Sequence, residues 1–214
     1  MERRAGHSVR AEEVTTNIRR VGKGAQRRAH ADRQVTKSMS RYRRAKIEGG
    51  AFFFTVALAN RSSDLLIREI NRLRHAYKVV QERLPFETIA ICVLPDHLHA
   101  LWLLPNGDAD FSSRWSLFKS DFSRGLPAAK SRSASKIKKR EKGIWQRRYW
   151  EHAIRDDADL DRHIDYIHYN PVKHGLVSRV VDWPHSSFHR YVEQDFLPED
   201  WGGDAMDIHG PFGE

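Results

Sequence analysis

Two short stretches combine residue types that do chemistry on phosphate esters. The first is Pro95-Asp-His-Leu-His-Ala-Leu-Trp102. Side chains alternate along a β-strand, so on a strand His97 and His99 share one face while Leu98 turns to the other. Two imidazoles side by side form a compact ligand pair for a divalent metal. A bare H-x-H is more often a pair of ordinary, partly buried histidines; the strand context, with Leu98 on the core face, favours the ligand pair. The second stretch is Asp165-Tyr-Ile-His-Tyr-Asn-Pro-Val-Lys-His-Gly-Leu-Val177. Tyr166 and Asn170 are four residues apart and share a face if the segment is helical. A phenol with a pKa of about 10 is a poor nucleophile at neutral pH. It becomes useful against phosphorus when a metal polarises the phosphate. An amide oxygen from Asn170 could complete a metal site begun by the two histidines. The same spacing fits helix-packing aromatics at Tyr166 and Tyr169, and spacing by itself favours that reading.

Composition narrows the setting. The chain has 214 residues, 40% of them hydrophobic, enough for one globular core with tails. No apolar run approaches the roughly 18 residues of a membrane-spanning helix, and no apolar secretory segment follows the arginine-rich N-terminus. The single cysteine, Cys92, excludes a disulfide framework and multi-cysteine zinc sites. A basic, intracellular protein is expected.

The net charge of +9 is unevenly placed. Residues 1–46 hold 14 Lys+Arg against 4 acids, and residues 124–148 hold 10 against 1; the remainder is acidic. Two basic segments on an acidic body point to a polyanion partner, most simply nucleic acid. Solvated, partnerless basic tails would give the same count.

The elements that must position these residues follow from periodicity. Residues 1–40 lack large apolar side chains and are expected to be disordered. Ala51–Ala59 reads as a buried strand. Leu65, Ile67, Ile70, Leu73 and Tyr77 mark an amphipathic helix that ends before Pro85. Phe86–Leu94 and Leu98–Leu104 form an antiparallel pair around the turn Pro95-Asp96. Ser112–Phe122 reads as helix, 125–142 as a basic loop, and Ile144–Ile154 as strand. A last helix starts at Asp156-Asp157, continues through Leu160, Ile164 and Ile167, meets Pro171, which disfavours helical geometry at Asn170, and closes at Gly175. The order β-α-β-β-α-β plus one helix predicts an α+β fold with a ferredoxin-like four-stranded antiparallel sheet and an additional C-terminal helix carrying the tyrosine.

Together the H-x-H strand and the tyrosine helix make the chain resemble the HUH endonucleases with a single catalytic tyrosine, and more narrowly the REP-associated tyrosine transposases. The resemblance spans about residues 41–203 and rests on an ordered series: Tyr42-Arg-Arg44, Gly49-Gly50, Phe53-Phe-Thr-Val56, Leu94–His99, Asp110–Trp115, Ile144–Arg155 and Asp165–Gly175. It implies a catalytic domain over 41–190, with the basic loop 125–142 inserted and 191–214 as a tail. It also implies that His97 and His99 bind Mg²⁺ or Mn²⁺. Tyr166 would attack a phosphodiester in single-stranded DNA, giving a 5′-phosphotyrosine and a free 3′-hydroxyl. Asn170 falls where the wider class has a glutamine as third ligand, so its role is less secure. The implied partners are single-stranded DNA hairpins of repetitive extragenic palindromes, bound by a monomer or homodimer in the cytoplasm, on the nucleoid when DNA is bound. The first 40 residues have no counterpart in the family, and the 125–142 loop is longer and more basic than usual there.

Arg43, Arg44, Arg147 and Arg148 are the best candidates for phosphate contacts, and Asp96 is placed to orient a histidine ligand. His152, His163, His168 and His174, and Trp102, Trp115, Trp145 and Trp150, have packing as their default role, with base stacking the alternative for the tryptophans. Two other functions stay open: a DNA-binding protein that has lost the chemistry, and a phosphodiesterase using metal-activated water.

Overall fold

The computed structural model describes residues 47–202. The expected disorder of 1–40, and the candidates Arg43 and Arg44, lie outside the described residues. The element order is β1 (Ala51–Ala57), α1 (Leu65–Arg68), α2 (Ile70–Arg83), β2 (Glu87–Val93), β3 (His97–Leu103), α3 (Phe111–Ser123), α4 (Ala134–Lys138), β4 (Trp150–Ala153), α5 (Asp157–Lys173), a 3-10 turn at Val180–Asp182, and α6 (Phe188–Glu193). The sheet order is β2-β3-β1-β4 with every neighbouring pair antiparallel. This is the expected α+β, ferredoxin-like arrangement.

Both faces of the sheet are covered, which is why β1 is buried along its whole length. Phe52, Phe54 and Val56 of β1, with Leu98, Ala100 and Trp102 of β3, meet Leu73, Ala76 and Val80 of α2 and Trp115, Phe118 and Phe122 of α3. The Trp102 and Trp115 rings stack at 4.1 Å, and Trp102 Nε1 donates to Tyr77 Oη at 2.7 Å. The alternate residues Ala51 and Phe53, with Cys92 and Leu101, meet Leu160, Tyr166 and Ile167 of α5 on the opposite face. A strand with two apolar faces gives no alternation to read, and the side chosen by each helix emerges only in three dimensions.

Four local differences from the sequence expectations have physical causes. The first helix breaks at Glu69 into α1 and α2, with the Glu69 amide still bonded to Leu65 O. The strand expected over 144–154 narrows to β4, preceded by a single bridge from Trp145 to Leu58. The basic loop contains the five-residue α4, whose Ser133 cap accepts from the Lys136 amide. Helix α5 runs through Asn170 and Pro171 to Lys173, so Asn170 is helical although a following proline disfavours that geometry. Pro171 is buried, and the packing it completes offsets its missing amide. Gly175, at φ 66, then closes the helix as expected: its amide donates to Val172 O and the Leu176 amide to Pro171 O, a Schellman ending.

The segment after α5 covers an edge of the sheet. The Val93 amide donates to His185 O, the Ser187 amide to Ile91 O, and the Ile91 amide to Ser187 Oγ. Trp183 Nε1 donates to Val93 O at 3.0 Å. β2 is thereby shielded from edge pairing. Cys92, bridged there to Ser186, is fully buried, and burial pushes its thiol pKa well up.

Candidate functional site

β1 and β3 place the histidine pair. Thr55 lies opposite His99 and Ala57 opposite His97 in the antiparallel register. With Leu98 turned into the α2/α3 core, both imidazoles face α5. Their ring centroids are 4.9 Å apart at 87°. Each ring is held through Nδ1, His99 by Thr55 Oγ1 at 2.9 Å and His97 by Asp96 Oδ1 at 2.8 Å. Asp96 is steadied in turn by Arg61, whose Nε lies 2.6 Å from Oδ2. Anchoring Nδ1 leaves Nε2 as the metal-type nitrogen of each ring, the usual arrangement of a histidine ligand and its outer partner. His97 Nε2 is buried and has no hydrogen-bond partner among the described residues. Burial lowers the His97 pKa, against a smaller upward pull from Asp96, and so favours the neutral imidazole that a metal requires.

Helix α5 supplies the tyrosine. Asp156 caps it by accepting from the Asp159 amide at 2.8 Å, and Asp157 and Asp159 sit in its positively polarised first turn. Its inner face then carries Leu160, His163, Tyr166, Ile167 and Asn170 into the sheet. The Tyr166 ring is 5.1 Å from His99 and 6.0 Å from Phe53, edge-on to both. Asn170 is fully buried one turn further along. The structure thus gathers His97, His99 and Tyr166 in one cluster, with Asn170 on the same helix face.

Two neighbours complete the cluster. Lys173 Nζ lies 3.4 Å from Tyr166 Oη and 4.8 Å above the ring. An ammonium there favours negative charge on the phenol oxygen as its proton leaves. Lys173 was missed in the sequence, where the available signal was its spacing of seven residues from Tyr166, two helical turns on the same face. The His174 ring is 5.3 Å from that of His97.

The other histidines have different roles. His168 turns towards α6, bonding Ser187 Oγ at 2.9 Å and meeting the ring of Tyr191. His152, Asp159 and His163 form a further set of metal-type donors, with ligand atoms within 4.8 Å of one another. Burial would raise the Asp159 carboxyl pKa, but hydrogen bonds from Arg155, His152 and the Arg155 amide outweigh it and hold it far below the usual carboxylate range. Arg162 adds a contact at 3.1 Å. A cation would have to displace guanidinium groups from Asp159, so this cluster is an ion-pair network that fastens β4 to the start of α5.

The basic segment folds beside the sheet rather than over the tyrosine. It walls a groove of about 820 Å³ against α3, lined by Ser116, Lys119, Ser120, Lys142, Arg147 and Tyr149 among others. Hydroxyl and cationic donors of this kind suit phosphate oxygens. Arg147 is partly engaged by Glu141, at 3.0 and 3.1 Å, and by Ser135 Oγ; Arg148 is exposed. Neither arginine is part of the histidine–tyrosine cluster. Of the four tryptophans weighed for base stacking, Trp102, Trp115 and Trp145 are core residues, whereas Trp150 is 43% exposed.

No family model matches the chain. It is 49% identical over 170 residues to a REP-associated tyrosine transposase of Escherichia coli, covering 79% of this chain and 95% of that one. A Haemophilus influenzae protein carrying the same family name is 53% identical over 166 residues, 77% of this chain and 94% of the relative. A solved structure of a REP-associated tyrosine transposase bound to a REP hairpin superimposes with a TM-score of 0.68 at 49% identity, over 79% of this chain and 94% of the other. Similarity of this extent, on a fold that brings a tyrosine to a histidine pair, means that the chain belongs to the REP-associated tyrosine transposases.

Proposed function

We propose that this protein is a single-strand DNA endonuclease and strand transferase acting at hairpins of repetitive extragenic palindromes, with Tyr166 as nucleophile. The observation that carries this reading is the packing of Tyr166 against the histidine pair, its ring 5.1 Å from His99. The relative of known structure, described as bound to a REP hairpin, supports the substrate class.

In the reaction the Tyr166 oxygen attacks phosphorus, the P–O3′ bond breaks, and the departing oxygen takes a proton. The products are a 5′-phosphotyrosine and a 3′-hydroxyl. A 3′-hydroxyl attacking that phosphotyrosine restores the phosphodiester and returns the proton to the phenol oxygen. His97 and His99 would hold Mg²⁺ or Mn²⁺, for which the buried, partnerless Nε2 of His97 is a fitting donor, and Asn170 would offer an oxygen. The ion, when bound, polarises the phosphate and spreads its developing charge. The protein's own groups do the rest: Thr55 and Asp96 orient the imidazoles, Lys173 favours charge on the attacking oxygen, and α5 holds the phenol against the sheet. The basic groove and Arg148, with Arg43 and Arg44 and the 1–40 extension, would bind the DNA backbone. An enzyme acting on chromosomal hairpins would work in the cytoplasm, on the nucleoid.

The test is a denaturing-gel assay with hairpins from the protein's own genome, carrying single-stranded extensions, in Mg²⁺ or Mn²⁺. A covalent protein–DNA adduct is expected from the wild type and none from Tyr166→Phe. An adduct that persists in Tyr166→Phe assigns the nucleophile elsewhere. Cleavage without an adduct indicates activated water, and hairpin binding without cleavage a binding protein that has lost the chemistry.

A further inference from the structure

Directly opposed residues in an antiparallel pair point to the same face. On β1, Thr55 is opposed by His99 on one side and by Trp150 on the other. Trp150, Thr55 and His99 therefore form one row across three adjacent strands, on the face that carries Tyr166, with the Thr55–His99 hydrogen bond joining its inner half. With strands about 4.8 Å apart, the ends of the row are separated by roughly 10 Å.

Trp150 is out of character for its surroundings. Trp102, Trp115 and Trp145 are at most 7% exposed; Trp183 is tied to Val93 O, and Trp201 packs on Phe188. The indole of Trp150, a residue 43% exposed on the short edge strand, makes no hydrogen bond, ion pair or ring contact among the described residues. An indole exposed to this extent forgoes much of the hydrophobic free energy that its burial would contribute. It does offer a flat, sequence-tolerant stacking surface, as single-strand-binding proteins use. Arg148, two residues earlier in the chain, is exposed as well, so a cation lies close by for the backbone of the same DNA strand.

The geometry points to Trp150 as a stacking platform for an unpaired base of the DNA strand, one that positions the adjoining phosphodiester over the His97–His99–Tyr166 cluster. The occupant is a nucleobase of single-stranded DNA, and the platform acts on the extension beside the hairpin rather than on the paired stem. This inference rests on the reading of Tyr166 and the histidines as the reacting centre. Trp150 is a positioning residue: it touches the substrate away from the reacting atoms.

The experiment compares the full-length protein and its Trp150 variants on one hairpin, with and without a single-stranded extension. The wild type is expected to bind the extended form more tightly. In Trp150→Ala that increment shrinks about tenfold, with affinity for the bare hairpin unchanged; Trp150→Phe keeps most of it, and Trp150→Leu behaves like alanine. Adding the extension quenches indole emission in the wild type, and that quenching is lost in Trp150→Phe. In the adduct assay the apparent KM of Trp150→Ala for extended DNA rises while kcat at saturation stays near wild type. An undiminished increment in Trp150→Ala overturns the assignment, as does an equal loss on both DNAs, or a wild type indifferent to the extension. A wild type that forms no adduct defeats the endonuclease reading alone, because the binding increment still decides for or against Trp150.

Discussion

Thr55 Oγ1 and His99 Nδ1 lie 2.9 Å apart across the β1–β3 pair, both buried beneath α5. The bond fixes the plane of the imidazole. Thr55→Val is nearly isosteric and removes only the hydroxyl. It should lower Mn²⁺ affinity about tenfold and cost on the order of 1–3 kcal/mol of stability through the stranded ring nitrogen. Titration calorimetry with Mn²⁺ and urea unfolding would check both, and adduct yield should recover at high metal. Unchanged Mn²⁺ affinity would remove Thr55 from the site.

Lys173 stands two helical turns from Tyr166 and close to its phenol oxygen. Lys173→Met should slow adduct formation at saturating DNA by about tenfold or more, and Lys173→Arg should restore part of the rate. Single-turnover measurements separate this from weaker DNA binding. A variant defective only below saturation would make Lys173 a DNA-binding residue instead.

His168 carries a pH signature. Burial pushes its pKa down to about 3, so the folded protein holds it neutral while the unfolded chain protonates it near 6.5. Between these values the unfolded state binds the extra proton, and stability therefore falls as the solution is acidified. The slope from this group is about 1.4 kcal/mol per pH unit. His168→Gln keeps a donor for Ser187 and should flatten the curve of unfolding free energy against pH between about 6 and 4. An unaltered curve would show that another group governs acid stability.

The basic segments should act on affinity rather than on chemistry. Removing residues 1–40, or replacing Lys136, Lys138 and Lys139 by Gln, should weaken hairpin binding and reduce its dependence on salt. The log–log slope should fall by about 0.7–0.9 for each phosphate left unneutralised. Preference among hairpin sequences should not change. A changed preference, read by competition binding, would mean that these segments read bases.

The strand period of two was enough to set His97 and His99 against Leu98, and the chemistry of the pair could be argued before any coordinates. The pairing of β2 with the 183–187 segment could not be, because two of its bonds join backbone groups and the other two reach backbone groups of β2 from Trp183 and Ser187, which no spacing along the chain connects to that strand. Pro171 disfavoured helical geometry at Asn170, yet the helix passes through both residues to the expected close at Gly175. A proline rule describes local geometry, whereas the last turn of α5 is held by burial of Asn170 and Pro171 against the body. Lys173 and Trp150 were hidden in plain composition. Charge and aromaticity identify such residues as candidates, and only the folded structure reveals which of several lysines lies against the tyrosine and which tryptophan stays exposed. Asp159 and His163 share a helix face at four-residue spacing, but the arrival of His152 from β4 beside them is announced by no spacing along the chain.

Cys92 sits beneath α5 with its thiol buried and its proton held tightly, so it should stay inert to maleimides and iodoacetamides. The native sequence contains no other cysteine. One thiol engineered on the surface would consequently be the sole reactive one in the folded molecule, without first deleting a native residue from the core. Fluorophores, spin labels or cross-linkers could then be attached site by site to follow the strand as it is drawn across the sheet.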